Sequence, residues 1–183
     1  MIITAPSGAG KTTIVRHLLN KEPRLEFSVS ATTRQPRSNE MDGREYYFIP
    51  VPEFKKRVKN NEFVEWEEVY KNYYYGTLKK EVDRIWAKGN HILFDVDVKG
   101  GINLKKIYGH QAISVFIMPP SIRELEKRLR LRGTDDPEGI KTRIAKAREE
   151  MRLADQFDFI VINNRLELAE SEVLELVNDF INR

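Results

Sequence analysis

The chain has 183 residues and no cysteine, and its 31 lysines and arginines against 28 aspartates and glutamates give a formal net charge of +3. The absence of cysteine excludes a disulfide framework and a cysteine metal site. With 40% hydrophobic and 32% charged residues, the chain has the composition of a globular protein and not of a disordered one. The sequence lacks both the apolar run of roughly 20 residues that spans a bilayer and a basic, apolar secretory start, so we expect a cytoplasmic protein with no membrane partner.

Short apolar runs alternate with longer amphipathic segments along most of the chain. The runs predict buried strands, because a parallel sheet covered by helices on both faces needs apolar residues on both sides. The predicted strands lie at 2–4, 92–94, 113–117 and 159–162, and the predicted helices at about 11–21, 77–88, 121–131, 137–155 and 166–182. This alternation predicts an α/β fold, with a mainly parallel sheet flanked by helices.

The first predicted strand leads directly into a glycine-rich loop and then an amphipathic helix. The segment matches the phosphate-loop pattern GxxxxGK[ST] except at its first position, and its residues are Ala5, Pro6, Ser7, Gly8, Ala9, Gly10, Lys11 and Thr12. In such a loop, backbone N–H groups surround a phosphate at the positive end of the helix. We therefore expect Lys11 to contact the β- and γ-phosphates of a nucleotide and Thr12 to bind Mg²⁺. Ala5 is compatible with the loop if its φ is negative.

The region from about 28 to 75 breaks the alternation and predicts an inserted subdomain. It is rich in aromatic residues, and its candidate strands at 46–49 and 63–66 alternate polar with apolar residues, as half-exposed antiparallel strands do. Arg34 and Arg37 lie in a proline-containing turn, where guanidinium forks match phosphate oxygens. The neighbouring tyrosines offer aromatic faces for a base, although any one of them is equally well explained as core filling.

Two aspartates, Asp95 and Asp97, follow the apolar run at 92–94. Ligands of open α/β sheets bind beyond the carboxyl ends of the strands, and residues two apart in a strand face the same side. We expect Asp95 to hold the Mg²⁺ shell through water. The alternative is a turn in which an aspartate caps the next helix.

A turn-rich break at 132–137 separates two arginine-rich helices. Four arginines surround this break, and a hinged segment there would bring such cations over a transferring phosphoryl group. They are Arg128, Arg130, Arg132 and Arg143. For the other charged residues of these helices, a solvated face is the commoner explanation.

Taken together, these motifs make the sequence resemble the guanylate kinase family. Its segments APSGAGK, SVSATTRQPR, DGREYYF, FVEW, YYGT, ILFDVD, RLRLRG and VIN occur in that family's order and approximate spacing. The resemblance implies one domain over 1–183, with a core at 1–29 and 77–183, a GMP-binding subdomain at 30–76 and a lid at 130–148. It also implies transfer of the γ-phosphoryl group of MgATP to GMP or dGMP, in purine nucleotide metabolism and GMP recycling.

The resemblance assigns residues of this chain to GMP. It implies that Arg34, Arg37 and Tyr46 contact the phosphate, and that Tyr75 joins them, with Tyr74 as the fallback because this chain carries one tyrosine more than the family's usual pair. The residues that it implies near guanine are Ser30, Glu65, Thr77 and Asp97. Chemistry supports Glu65, because guanine offers N1–H and N2–H donors that a carboxylate accepts, and adenine has no N1–H.

For ATP, the resemblance implies binding by the loop together with Thr13, and by Asn163 near adenine. Its catalytic residues would be Lys11, Arg34, Arg132 and Arg143, and Mg²⁺ would be held by Thr12 and Asp95. The acceptor phosphate is already anionic, so the chemistry needs positioning and charge neutralisation rather than a general base. We expect no nucleic-acid partner and a monomer or weak homo-oligomer. The rival interpretations are an inactive guanylate-kinase-like binding module, a kinase of phosphorylated sugars and a basic nucleic-acid binder.

Overall fold

The computed structural model of the chain describes residues 1–37, 40–133 and 135–183. The described residues form nine strands and seven α-helices. In chain order these are β1 (Ile2–Thr4), α1 (Lys11–Lys21), β2 (Leu25–Phe27), β3 (Ala31–Thr32), β4 (Tyr47–Phe48), α2 (Val51–Lys59), β5 (Phe63–Tyr70), β6 (Tyr73–Leu78), α3 (Lys79–Trp86), β7 (His91–Asp95), α4 (Val98–Tyr108), β8 (Ser114–Met118), α5 (Ile122–Arg132), α6 (Pro137–Met151), β9 (Phe159–Ile162) and α7 (Leu166–Ile181). Within these residues, no helix is both long enough and apolar enough to cross a bilayer.

The elements divide into two compact units. The first comprises Met1–Pro23 and Phe94–Arg183, and the second comprises Arg24–Leu93. The limits of the GMP-binding subdomain and of the lid stay predictions, and Thr134 of the predicted lid and Ser38 and Asn39 of the predicted subdomain lie outside the described residues.

The first unit is a parallel sheet flanked by helices. In it, β1 pairs in parallel with the end of β7 and with β8, and β8 pairs in parallel with β9. Strand residues such as Ile2, Val115 and Phe116 are fully buried, because helices cover the sheet. Every predicted strand and helix of this unit is present, so the predicted fold class is confirmed.

The second unit contains a four-stranded sheet in the order β4-β3-β6-β5. β6 pairs antiparallel with β3 and β5, whereas β4 pairs in parallel with β3. The expectation of an antiparallel strand at 46–49 was therefore wrong. The core of this sheet is aromatic: Phe54 of α2 stacks on Phe63 at 4.4 Å between ring centroids and lies beside Tyr74 at 5.4 Å. In this unit β2 also pairs in parallel with residues 91–93 of β7.

Candidate functional site

The glycine-rich loop connects β1 to α1 in the first unit. The N-cap of α1 is Gly10, whose φ of 99° lies in the region that favours glycine. A Cβ at this position would lie 2.3 Å from Nδ2 of Asn163, so a larger residue would displace that amide. The glycine N-cap has no side chain to accept from the first-turn N–H groups, which suits the predicted binding of a phosphate at this end of α1.

The backbone conformation of Ala5 suits the loop. Among the described residues, the non-glycine positions with positive φ are Asn61 and Asn72, so Ala5 is not one of them. Ala5 is buried, and the loop turns after it through a hydrogen bond from Ala9 N–H to the Pro6 carbonyl at 3.1 Å. An alanine is therefore compatible with this loop.

Lys11 begins α1 and turns towards the carboxyl end of β7. Its Nζ donates to the Asp95 carboxylate and to the Val96 carbonyl, the latter at 3.0 Å. Thr12 and Thr13 follow on the exposed face of the first helical turn. The loop lysine and both predicted oxygen donors for a metal, on Thr12 and Asp95, thus lie at one end of the sheet.

Asp97 lies beyond β7 rather than inside it. It is the N-cap of α4, and its Oδ1 accepts from the Gly100 N–H at 3.0 Å. The capping alternative from the sequence is therefore present, and the expectation that both aspartates belong to one strand was wrong. Its contact with guanine stays a prediction.

Arg132 and Arg143 converge on one carboxylate. Arg132 Nη2 donates to Oδ2 of Asp135 at 2.7 Å, and Arg143 Nε donates to Oδ1 at 2.8 Å. Burial acts to raise the pKa of Asp135, but the hydrogen bonds from the two arginines outweigh it and hold that pKa below its ordinary value. Arg143 Nη1 also donates to Ser7 Oγ at 3.0 Å, which places this guanidinium on the phosphate loop.

Asn163 braces the loop from the end of β9. Its side-chain Nδ2 donates to the Ala9 carbonyl at 2.8 Å, its backbone N–H donates to Met118, and its carbonyl accepts from Arg128 at 3.0 Å. The residue is buried. Its predicted contact with adenine is not tested by these bonds and stays a prediction.

In the second unit, Arg34 lies beside the aromatic side chains of Tyr46, Phe48 and Tyr75. Its Nε donates to the Tyr75 hydroxyl at 3.3 Å, and its guanidinium carbon is 5.4 Å from the centre of the Tyr46 ring. Tyr46 and Tyr75 meet edge to face at 5.9 Å. Tyr74, the fallback for the phosphate contact, is instead buried in the aromatic core of this unit. The structure therefore brings Arg34, Tyr46 and Tyr75 together.

Glu65 and Thr77 face each other across the β5–β6 pair. Oε1 of Glu65 accepts from the Thr77 backbone N–H at 3.0 Å and from its hydroxyl at 2.7 Å. Both residues are buried. Ser30, directly before β3, is also buried, and its carbonyl accepts from Tyr47 N–H at 2.9 Å. The predicted guanine-reading carboxylate is therefore held in a fixed orientation.

Comparison with known proteins decides the family. A guanylate kinase family model matches residues 1–180. The chain belongs to the guanylate kinase family. Guanylate kinase from Bacteroides thetaiotaomicron is 52% identical over 183 residues, which are 100% of this chain and 90% of that protein. Guanylate kinase from Porphyromonas gingivalis is 49% identical over 99% of this chain and 97% of its own length.

Solved structures agree on the fold of this guanylate kinase family member. The crystal structure of guanylate kinase from Anaplasma phagocytophilum matches with a TM-score of 0.80 and 28% identity, over 97% of this chain and 83% of that one. A shikimate kinase from Bacteroides thetaiotaomicron matches with a TM-score of 0.52 at 13% identity, over 100% and 97% of the two chains, a likeness of fold alone. The chain is therefore a nucleoside monophosphate kinase, a transferase with an α/β phosphate-loop kinase fold.

Three carboxylates beside the guanylate kinase motifs were not identified from the sequence. Glu40 contacts Arg34, Asp135 contacts both predicted lid arginines, and Glu150 of α6 pairs with Lys146 at 3.5 Å. Burial raises the pKa of Glu150, an effect that Lys146 opposes. For Glu40 and Asp135 the sequence did offer a signal, because each lies a few positions from an arginine with which it pairs.

Proposed function

We propose that the chain transfers the γ-phosphoryl group of MgATP to GMP and dGMP, giving ADP and GDP or dGDP. ATP would bind at the loop of the first unit, and GMP at the aromatic and acidic residues of the second. Membership of the guanylate kinase family supports the reaction, and the contacts of individual side chains support the roles below.

The observation that carries the specificity is the buried carboxylate of Glu65. The two hydrogen bonds from Thr77 orient it, and a carboxylate oriented in this way accepts the N1–H and N2–H donors of guanine. Adenine would leave the same carboxylate poorly paired, because its N1 is an acceptor. A site that loses such hydrogen bonds rejects the wrong base strongly.

We assign the phosphate of GMP to Arg34, Arg37, Tyr46 and Tyr75. The contacts of Arg34 with both tyrosines support this group, since a guanidinium fork and phenol hydroxyls are donors that match phosphate oxygens. Ser30 and Asp97 would add contacts to the guanine.

We assign the triphosphate of ATP to the loop 5–13, with Asn163 near the adenine. Lys11, Arg132 and Arg143 would neutralise the charge that develops on the transferring group, as preorganised cations do. The hydrogen bond from Arg143 to Ser7 supports this role, because it places a guanidinium on the loop itself.

The residues at the loop also fit Mg²⁺, which takes oxygen ligands and keeps several waters. The hydroxyl of Thr12 and the carboxylate of Asp95 supply such oxygens, and Asp95 already contacts Lys11, the neighbour of Thr12. We propose that these two residues hold the ion, Asp95 through water. When bound, Mg²⁺ neutralises phosphate charge.

A coupled ADP-release assay with ATP and Mg²⁺ tests the proposal. GMP, dGMP, AMP, CMP and UMP are offered in turn, and we expect ADP release with the two guanine nucleotides and background release with the others. Lys11→Met serves as the inactive control, since it removes the loop cation while leaving the buried core unchanged. Absence of turnover with every acceptor would instead favour an inactive binding module.

A further inference from the structure

We propose that Glu40 is a positioning residue, which holds Arg34 and Arg37 in the arrangement that receives the phosphate of GMP. The proposal rests on the function assigned to these two arginines above. It adds a residue that acts through them and touches neither the base nor the reacting atoms.

The first support is the fork between Glu40 and Arg34. Arg34 Nη1 donates to Oε2 at 2.8 Å, and Nη2 donates to Oε1 at 2.9 Å. Two parallel charge-assisted bonds fix both the position and the plane of a guanidinium. The side chains of Arg34 and Glu40 are only 16% and 9% exposed, so little solvent screens the pair.

The second support is that the same carboxylate also holds Arg37. The backbone N–H of Arg37 donates to Oε2 of Glu40 at 2.8 Å, and its Nη1 lies 3.8 Å from Oε1. One acidic side chain thus offsets the mutual repulsion of two cations that lie three residues apart. The Arg37 side chain remains 55% exposed, which leaves its guanidinium accessible to a ligand.

The remaining contacts of Arg34 complete its fixation. Its Nε donates to Tyr75 at 3.3 Å and its Nη1 to the Gln35 carbonyl at 2.7 Å, while the rings of Tyr46 and Phe48 lie 5.4 and 5.7 Å from its guanidinium carbon. A long side chain that is already ordered loses less conformational entropy when a ligand binds. Glu40 therefore improves phosphate binding by ordering the arginines beforehand.

The test compares Glu40→Gln with the unmodified chain in the GMP-dependent assay. A glutamine of the same shape replaces one acceptor by a donor, so the fork cannot form. Hydrogen bonds to charged groups have the strength to change affinity about tenfold, so we expect the KM for GMP to rise about tenfold while the KM for ATP stays unchanged.

Glu45→Gln is the matched control. Glu45 lies in the same segment, accepts from the Met41 N–H at 2.8 Å and pairs with the exposed Arg44, but the contacts described for Arg34 do not include it. Its variant should keep the KM for GMP. An unchanged KM for GMP in Glu40→Gln overturns the proposal. A lowered KM also overturns it, because it would show that Glu40 competes with the phosphate for the arginines.

A double-mutant cycle separates positioning from general stability. If Glu40 acts through the two arginines, Glu40→Gln should raise the KM for GMP less in an Arg34→Ala background than in the wild type, because only its contacts with Arg37 remain there. The same fold-change in both backgrounds overturns the proposal. Should Glu40→Gln fail to fold, Glu40→Asp makes the same comparison, since it keeps the charge but is one methylene too short for the fork. A wild-type chain that does not phosphorylate GMP would refute the proposed function before any variant is compared.

Discussion

Replacing Glu65 by glutamine tests the specificity of the second unit most directly. Glutamine preserves the volume at a position that is 8% exposed, and its amide oxygen can accept both Thr77 donors as Oε1 of Glu65 does. The amide NH₂ then takes the place of the other carboxylate oxygen. At that position the amide would place N–H donors against the N–H donors of guanine, so the hydrogen bonds to guanine could not form.

The size of the effect follows from the bonds that are lost. Hydrogen bonds to a charged group contribute about 1.5–3 kcal/mol each, so losing two predicts a fall in kcat/KM for GMP of roughly 100-fold or more. The KM for ATP should not change, because Glu65 lies among residues assigned to GMP. The variant should remain folded, since an acceptor for both Thr77 donors is retained.

Steady-state kinetics with GMP varied at saturating ATP, and then with ATP varied, measures both constants. Glu68→Gln is the control, because Glu68 lies on the same strand, is exposed and accepts only a turn N–H, that of Asn72 at 2.7 Å, among its described hydrogen bonds. If the ratio of the two KM values in Glu65→Gln equals that of the wild type, Glu65 does not read the guanine.

Two further predictions concern stability. A Cβ on Gly76 would lie 2.8 Å from the Glu65 carbonyl oxygen and 2.9 Å from Trp66 Cβ. Gly76→Ala should therefore force β5 and β6 apart, at a cost of about 1–3 kcal/mol, and raise the KM for GMP. Gly89→Asn is the comparison: its φ of 75° strains the backbone, but the position has open space around it, so this variant should lose some stability and keep the KM for GMP. The second prediction is pH-dependent: burial acts to raise the pKa of Glu26, but hydrogen bonds from Lys88, Asn90 and Arg84 lower it from 4.5 to about 2. Because the folded pKa lies below the unfolded one, ionised Glu26 stabilises the fold fully above pH 4.5, and this contribution is lost as the pH falls towards 2. Denaturant titrations should therefore show a free-energy difference between wild type and Glu26→Gln that shrinks on acidification, and a constant difference would contradict the assignment.

The first unit was predictable because strands such as β1 and β8 are buried on both faces. The run at 159–162 was predicted to be a buried strand because it contains only apolar residues. The strand is present as β9, but three of its four residues are exposed, so the expected burial was wrong there. The phosphate loop was predictable for a similar reason, since its residues, spacing and flanking elements all point to one structure.

The second unit was harder to predict because its elements are short and depend on partners distant in sequence. β3 and β4 contain two residues each, which is too few for an alternation to appear. β4 was expected to be antiparallel on its polar pattern, but that pattern reports exposure and not strand direction. Helix α2 buries Phe54 alone, so its apolar face was not visible in the sequence.

Helix α4 entered the sequence analysis only as the helix that an aspartate could cap, and it was not among the predicted helices, because Gly100 and Gly101 usually indicate a turn. In the structure both are buried in the helix, and a Cβ on Gly101 would lie 3.1 Å from the Phe157 ring. Packing, which a sequence does not display, accounts for the glycine. For Glu40 and Asp135 the sequence shows only that each lies a few positions from an arginine, and the structure adds that two arginines meet on each carboxylate.

The position of Asn163 has a consequence for how nucleotides are received. Its side chain bonds to Ala9 in the loop, while its backbone bonds to Arg128 of α5 and to Met118 at the end of β8. The loop is therefore held at Ala9 by a residue that is itself fixed at two further points. Since a loop held in this way has little conformational freedom left to lose, we infer that the proposed binding of the triphosphate costs little conformational entropy. Removing any one of these hydrogen bonds would then weaken nucleotide binding without removing an atom that contacts the phosphate.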